Sequence, residues 1–454
     1  MSSAQHRLLK RRTMPGVALL FTVFCCVSGG PFGLEPAVSA AGPGVAMLLI
    51  AALPLLWALP DALTTCELAA AIPEEGGYVI WVNRAMGPFA SFLNAWWTWL
   101  YSLVDASIYP VLFATYAAGL AKAWLGTTML DAALAQWLLA AAMITAFSWL
   151  NFRGAKPVGS ASIGLAVAIL VPFALFIVVG LFRYLGNPHP VPLSLPHGEG
   201  LKSSLAAGMG IVMWNYLGWD SLSTIAEEVD EPQRAYPRAL LTGLLLVAGS
   251  YLLATWVGLA FVPDASKWVE GAWPDIAHQI GGPWLMALVQ IGAVVSPIAL
   301  FTASLLASSR VPFVLAEARF LPTPFKALHP KFGTPWFAIV FSAAVFALLA
   351  TKTFQELVSL NVVMYSAALV LEIASLLILR FKEPQLPRPF RIPGGWLALG
   401  LVFILPVAMV GALVVLSIRE EGWASQGLTM AGLASGPLVY VAIKILRPRE
   451  EAPC

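Results

Sequence analysis

The stretch Val27-Ser-Gly-Gly-Pro-Phe-Gly-Leu-Glu-Pro36 interrupts the first long apolar segment of the chain, from near Pro15 to near Ala41. Gly29, Gly30, Pro31 and Gly33 cannot hold a regular helix, because glycine is conformationally loose and proline lacks the N–H and crowds the preceding turn. Glu35 then places an acid at about mid-membrane depth. In hydrocarbon, free backbone groups and a bare carboxylate each cost kilocalories. Such a break is stable only where it lines a protein-enclosed cavity, with its freed amides, carbonyls and Glu35 facing something that binds there. The stretch therefore predicts a discontinuous transmembrane helix.

The remainder of the chain supports a membrane reading. Of 454 residues, 59% are hydrophobic and 11% charged, against about 25% charged in soluble proteins; the mean hydropathy is +0.80. Continuous apolar runs exclude an alternating β-barrel pattern. They predict an all-α polytopic membrane protein with twelve spans, approximately 15–41, 45–71, 88–121, 131–150, 158–184, 203–228, 237–262, 283–312, 335–351, 356–380, 396–417 and 425–446. With both termini inside, twenty of the 26 Lys and Arg fall on inner segments, so the positive-inside rule predicts cytoplasmic N- and C-termini. Cys25, Cys26, Cys66 and Cys454 form no disulfide framework and read as reduced thiols.

A second interruption, Trp214-Asn-Tyr-Leu-Gly-Trp-Asp220, falls in the sixth span. Breaks at the first and sixth positions suggest two five-span repeats of inverted topology, about 15–184 and 203–380, followed by two further helices at about 396–446. The whole then forms a single domain with its binding site between the breaks. Acids within or at the edge of spans are Glu35, Asp61, Glu67, Asp105, Asp220, Glu227, Glu228 and Glu372. An acid-rich, base-poor interior favours a cationic ligand, protons, or both. Tyr101, Asp105 and Tyr109 share one helical face. Phe32, Tyr216 and Trp219 offer π faces to an ammonium group. Asp61 and Glu67 read as gate or packing contacts, and Glu227 and Glu228 as ion-paired groups near the interface. Phosphate-loop, zinc-protease and nucleophile-elbow motifs are absent, and no basic, aromatic surface suggests nucleic acid. No cofactor, metal site or enzymatic activity is expected.

Several separated stretches resemble the amino acid–polyamine–organocation permeases, and within them the plant-type polyamine and proton symporters. They are Val27 to Glu35; Cys66-Glu-Leu-Ala-Ala-Ala-Ile-Pro-Glu-Glu-Gly-Gly-Tyr78; Asp105-Ala-Ser-Ile-Tyr-Pro-Val-Leu-Phe113; Asn151-Phe-Arg-Gly154; Trp219-Asp-Ser-Leu-Ser-Thr-Ile-Ala-Glu-Glu-Val229; and the run from Arg380 to Pro393. The resemblance implies the inverted-repeat leucine-transporter fold, alternating access and proton-coupled transport. It also implies that the backbone of Gly29, Gly30 and Gly33 meets a polar end of the substrate and that Glu35, Asp105 and Asp220 meet amines or carry the proton. Trp219 and Tyr216 would wall the site, with Pro31, Phe32, Tyr109 and Asn215 beside it. Many proton-coupled permeases of this superfamily carry a lysine midway through the fifth span. Ile163 to Val171 has none, so coupling falls to an acid, and Glu35 is the expected carrier. The leading expectation is a proton-coupled importer of cationic polyamines or amino acids in a bacterial inner membrane. A broad neutral amino acid permease of the same fold is the second reading. A non-transporting receptor or scaffold is the third, and such a bundle gains nothing from intramembrane breaks.

Overall fold

The computed structural model describes residues 14–351, 354–421, 423 and 427–446. The basic residues of the two ends (Arg7, Lys10, Arg11, Arg12, Arg447, Arg449), Lys352 and Cys454 lie outside them. Cys25, Cys26 and Cys66 are buried and free.

The helices are α1 (Gly16–Val27), α2 (Glu35–Ala41), α3 (Pro43–Ala71), α4 (Tyr78–Met86), α5 (Pro88–Leu125), α6 (Ala133–Phe152), α7 (Ala155–Gly186), α8 (Glu199–Trp214), α9 (Pro232–Phe261), α10 (Trp273–Gly281), α11 (Pro283–Ser308), α12 (Arg310–Glu317), α13 (Trp336–Leu349), α14 (Phe354–Lys382), α15 (Gly395–Glu421) and α16 (Gly427–Leu446). Eight helical stretches are long and apolar enough to cross a membrane, and three shorter apolar helices accompany them, among the described residues. Proline in the first turn starts α3, α5, α9 and α11, where its missing N–H would be unpaired in any case. Within α3, Pro54–Ala58 forms a π turn, a local widening that relieves the proline clash.

Three helices were not foreseen. The segment 263–282, expected as connection, holds α10, and 313–334 begins inside α12. Helix α4 forms straight after the second span. All three are short and amphipathic, so a search for runs of about twenty apolar residues passes over them.

Helix α1 is central, packing on α7, α9 and α11. Helices α6 and α15 are peripheral: the apolar windows of both are 22% buried, against 61% in α3 and 67% in α14. Their exposed Leu134, Leu138, Trp149, Leu397, Leu401 and Ile404 give the apolar outer surface that lipid requires.

Candidate functional site

Both interruptions are real breaks in the helices. Residues 28–34 separate α1 from α2, and residues 215–220 separate α8 from a 3-10 stretch, Ser221–Glu228. At Gly29 an added Cβ would collide with Ser296 Oγ and approach Leu300 Cδ1 to 2.7 Å; Gly30 sits at φ +85° and would meet Ile169 Cγ2 at 2.6 Å. Only glycine lets the chain pass so close to α11 and α7.

The freed backbone groups are paired within the protein. Ser28 Oγ accepts from Gly30 N (3.1 Å), and Glu35 Oε2 accepts from Gly33 N (2.7 Å). Trp273 Nε1 donates to Pro31 O (2.8 Å). Asn215 Nδ2 donates to Gly33 O (3.2 Å), tying the two breaks together. The Tyr251 hydroxyl sits between them, 2.7 Å from Ser28 Oγ and 3.2 Å from Asn215 O. Glu35 thus closes its own break, with its second oxygen unpartnered and fully buried.

Between the breaks lies a cavity of about 50 Å3, lined by Gly29, Phe32, Asp105, Tyr109 and Asn215 among the expected residues. Among the described lining residues Asp105 is the only Asp, Glu, Lys, Arg or His. Its Oδ2 accepts from Tyr109 Oη (2.6 Å), and its Oδ1 accepts from Trp214 Nε1 (3.2 Å) and from Asn361 Nδ2. Tyr101 and Thr98, on the same face of α5, also line the cavity, as does Ser308; the hydroxyls of Thr98 and Ser308 are buried without a partner. A site of this size holds a few waters, whereas ligand pockets run to about 300–1,000 Å3. The helices are therefore closed around it.

The remaining expected residues lie off the cavity. Gly30, Pro31 and Gly33 form the break behind it. Tyr216 is buried against Tyr251, with ring centroids 5.2 Å apart, and donates to Ile50 O. Trp219 is buried too, its Nε1 donating to Tyr216 O (3.1 Å). Asp220 turns away from Asp105 toward Asp61 and Glu372. Residues that the sequence reading passed over are Thr98, Tyr251, Ser308 and Asn361. Thr98, three residues before Tyr101, lies on the same helical face and could have been read from that spacing. Tyr251 and Asn361 come from distant helices and carry no local signal.

A second cavity of about 880 Å3 lies beyond the Phe32 ring. Phe32 lines the first cavity and Tyr116 the second, with ring centroids 6.1 Å apart, so this pair is the partition. Glu270 lines the second cavity beside Gln290. It lies in the connection before α10, where burial pushes its carboxyl above the usual range.

On the opposite side, next to Ala307 and Ser308 of the cavity wall, Arg310 is buried and ion-paired. Its guanidinium donates to Glu228 Oε1 at 2.7 Å and lies 4.0 Å from Glu75. Met14 N donates to Glu228 O (2.7 Å), and Gly76 N donates to Thr224 O (3.1 Å). Glu67 pairs with Arg380 and Arg388 and accepts from Ile392 N. The ion pairing expected of Glu228 is present. Among the described residues no His, Cys, Asp or Glu group could hold a metal ion.

Residues 19–433 match the family model described as amino acid permease. The chain belongs to that family. It is 35% identical over 440 residues to a protein of Arabidopsis thaliana named as a probable polyamine transporter, covering 95% of this chain and 84% of the relative. It is 34% identical to a polyamine transporter of Oryza sativa subsp. japonica, covering 94% and 78%. A branched-chain amino acid permease of Bacillus subtilis is 26% identical, covering 88% and 85%. The family and its relatives are transporters rather than enzymes, and this permease is an integral membrane protein that acts on a small molecule.

Proposed function

We propose that this permease is a proton-coupled importer of polyamines working by alternating access. The observation that carries the reading is the cavity between the breaks, where Asp105 is the one acid among the lining residues and no Lys, Arg or His lines it. A lone carboxylate ringed by phenols and an indole suits an ammonium group, through a charge-assisted hydrogen bond and cation–π attraction. The hydroxyls of Thr98 and Ser308 are free to bind further N–H groups. Glu270 in the wider cavity adds an acid on the approach.

The same geometry disfavours an amino acid substrate. Its carboxylate would need the N–H groups of the first break. Gly30 N is already bonded to Ser28 and Gly33 N to Glu35, so that anion would have to displace Glu35 to reach Gly33 N. Under this proposal the twelve apolar stretches all cross the membrane, in two inverted repeats and a final pair, with both termini inside. The Arg310–Glu228 ion pair then closes the cytoplasmic side. A coupling proton travels on one of the buried acids.

The test is uptake into proteoliposomes under an imposed inward proton gradient, comparing spermidine and putrescine with arginine and leucine. Polyamine uptake that collapses in Asp105→Asn supports the reading. Leucine uptake that survives this substitution would move the protein to the neutral amino acid permeases.

A further inference from the structure

Asp61 of α3, Asp220 of the second break and Tyr365 and Glu372 of α14 meet in the protein interior, with exposures of 0%, 1%, 1% and 1%. The Tyr365 hydroxyl lies 2.6 Å from Asp61 Oδ2 and 2.8 Å from Asp220 Oδ1, and it accepts from Gly218 N at 3.2 Å. A phenol has one hydrogen and two lone pairs. Gly218 N–H takes one lone pair, and the phenol hydrogen satisfies one aspartate. The other short O···O contact needs a hydrogen that the aspartate itself supplies. The cluster as built therefore contains one carboxylic acid proton shared about Tyr365.

Two further features point to an exchangeable occupant. Asp61 Oδ1 and Glu372 Oε2 are buried and accept no hydrogen bond from an N–H group, and the Thr65 hydroxyl one turn away is the group that faces Asp61. Glu372 adjoins Asp220, and its other oxygen accepts from Asn94 Nδ2 (2.9 Å). The other titratable groups facing the cluster are Tyr101 of α5, Tyr78 of α4, Cys26 of α1 and Cys66 of α3. None of these is a base. The nearest cations along α14 and beyond it, Arg380 and Arg388, are engaged by Glu67. Three carboxyl groups with no counter-cation cannot all be ionised in a low-dielectric interior.

We propose that the Asp61–Tyr365–Asp220–Glu372 cluster is the proton-carrying site of this transporter, separate from the amine site at Asp105. The inference rests on the proton-coupled reading above and places the proton here rather than on Glu35, which is engaged in closing the first break. The coupling is mechanical. When the proton leaves, Asp61 and Asp220 compete for the single Tyr365 hydrogen and repel one another. Asp220 and Gly218 belong to the second break, whereas Asp61 and Tyr365 belong to the continuous helices α3 and α14. Loss of the proton therefore drives the break away from those helices, and proton uptake draws it back.

The experiment compares wild type, Asp61→Asn, Asp61→Glu, Glu372→Gln and Glu35→Gln in proteoliposomes. One assay is exchange of labelled spermidine with no gradient. The other is spermidine accumulation under an inward proton gradient, with proton influx followed by a pH dye. One coupled proton supports roughly tenfold accumulation per unit of pH gradient. Asp61→Asn and Glu372→Gln are expected to keep exchange while accumulation and proton influx fall by about that factor. Asp61→Glu and Glu35→Gln should stay coupled. Glu372→Gln keeps the acceptor for Asn94, so it guards against a folding failure at Asp61. The infrared carbonyl band of a buried carboxylic acid, present in wild type and lost in Asp61→Asn, reads the proton without transport. Full coupling in both Asp61→Asn and Glu372→Gln, or uncoupling in Glu35→Gln alone, overturns the assignment. Absence of spermidine exchange in wild type would instead overturn the polyamine reading, and exchange without proton influx would overturn the coupling.

Discussion

Asp105 shows how far one side chain can be read. Its spacing from Tyr101 and Tyr109 puts a carboxylate among phenols on one face of α5, and the Tyr109 hydrogen bond bears that out. Trp214 and Asn361 complete its surroundings from other helices. An ammonium ligand would exchange part of this neutral hydrogen bonding for a charged partner. Such a bond is worth about 1.5–3 kcal/mol, so Asp105→Asn should weaken spermidine binding roughly 10- to 100-fold, measured by calorimetry on the purified protein. Glu35 behaves differently. Its Oε2 occupies Gly33 N–H, and Glu35→Gln keeps an acceptor there. Glu35→Ala leaves that amide buried and unpaired, with a loss of about 1–3 kcal/mol, visible as a lower thermal midpoint in detergent than either wild type or Glu35→Gln.

The two breaks act as elements because they are tied to each other. Asn215 and Tyr251 bridge them, so neither can rearrange alone. Gly29 fixes how closely the first break approaches α11. Gly29→Ala forces its new methyl onto Ser296 and Leu300. Overpacking of that kind costs about 1–3 kcal/mol, and the first break would be pushed off α11. Transport should fall with it, while Gly164→Ala, which meets open space, should leave both stability and transport near wild type. Paired thermal shift and uptake measurements on the two variants check this. Under the proposed function the Phe32–Tyr116 partition is the other element that has to move, since a polyamine cannot enter a cavity of about 50 Å3 until those rings part.

Across the bundle, ion pairs differ in weight. Arg310 is 1% exposed and held by Glu228. Removing one partner of such a pair leaves a buried charge, so Arg310→Ala should destabilise by about 3–5 kcal/mol and leave the cavity open on that side. Cysteine accessibility at Ser308→Cys would report the opening. Arg84 and Glu383 are 38% and 31% exposed, and solvent screening limits such a pair to about 0–1 kcal/mol. Arg84 holds the Glu383 carboxyl below its usual range. Its contribution is thus present above the unfolded pKa and lost as pH falls through the folded one. Glu383→Gln should therefore lower the thermal midpoint slightly at neutral pH and not at all in acid.

The sequence by itself determined that this chain is an all-helical membrane permease with interruptions near residues 30 and 217, because lipid leaves no other use for runs of apolar residues or for glycine, proline and acids inside them. It also placed Asp105 among phenols, since helical spacing is a local property. The short amphipathic helices α4, α10 and α12 escaped because their apolar faces are set by neighbours rather than by length. Only the tertiary structure decided which acids share a site. Asp220 and Asp105 are both intramembrane carboxylates by sequence, yet one turns to Asp61 and Glu372 and the other to the cavity. That choice depends on the Tyr365 hydroxyl, 145 residues from Asp220, and on the packing of α14 against α5, which no local pattern encodes.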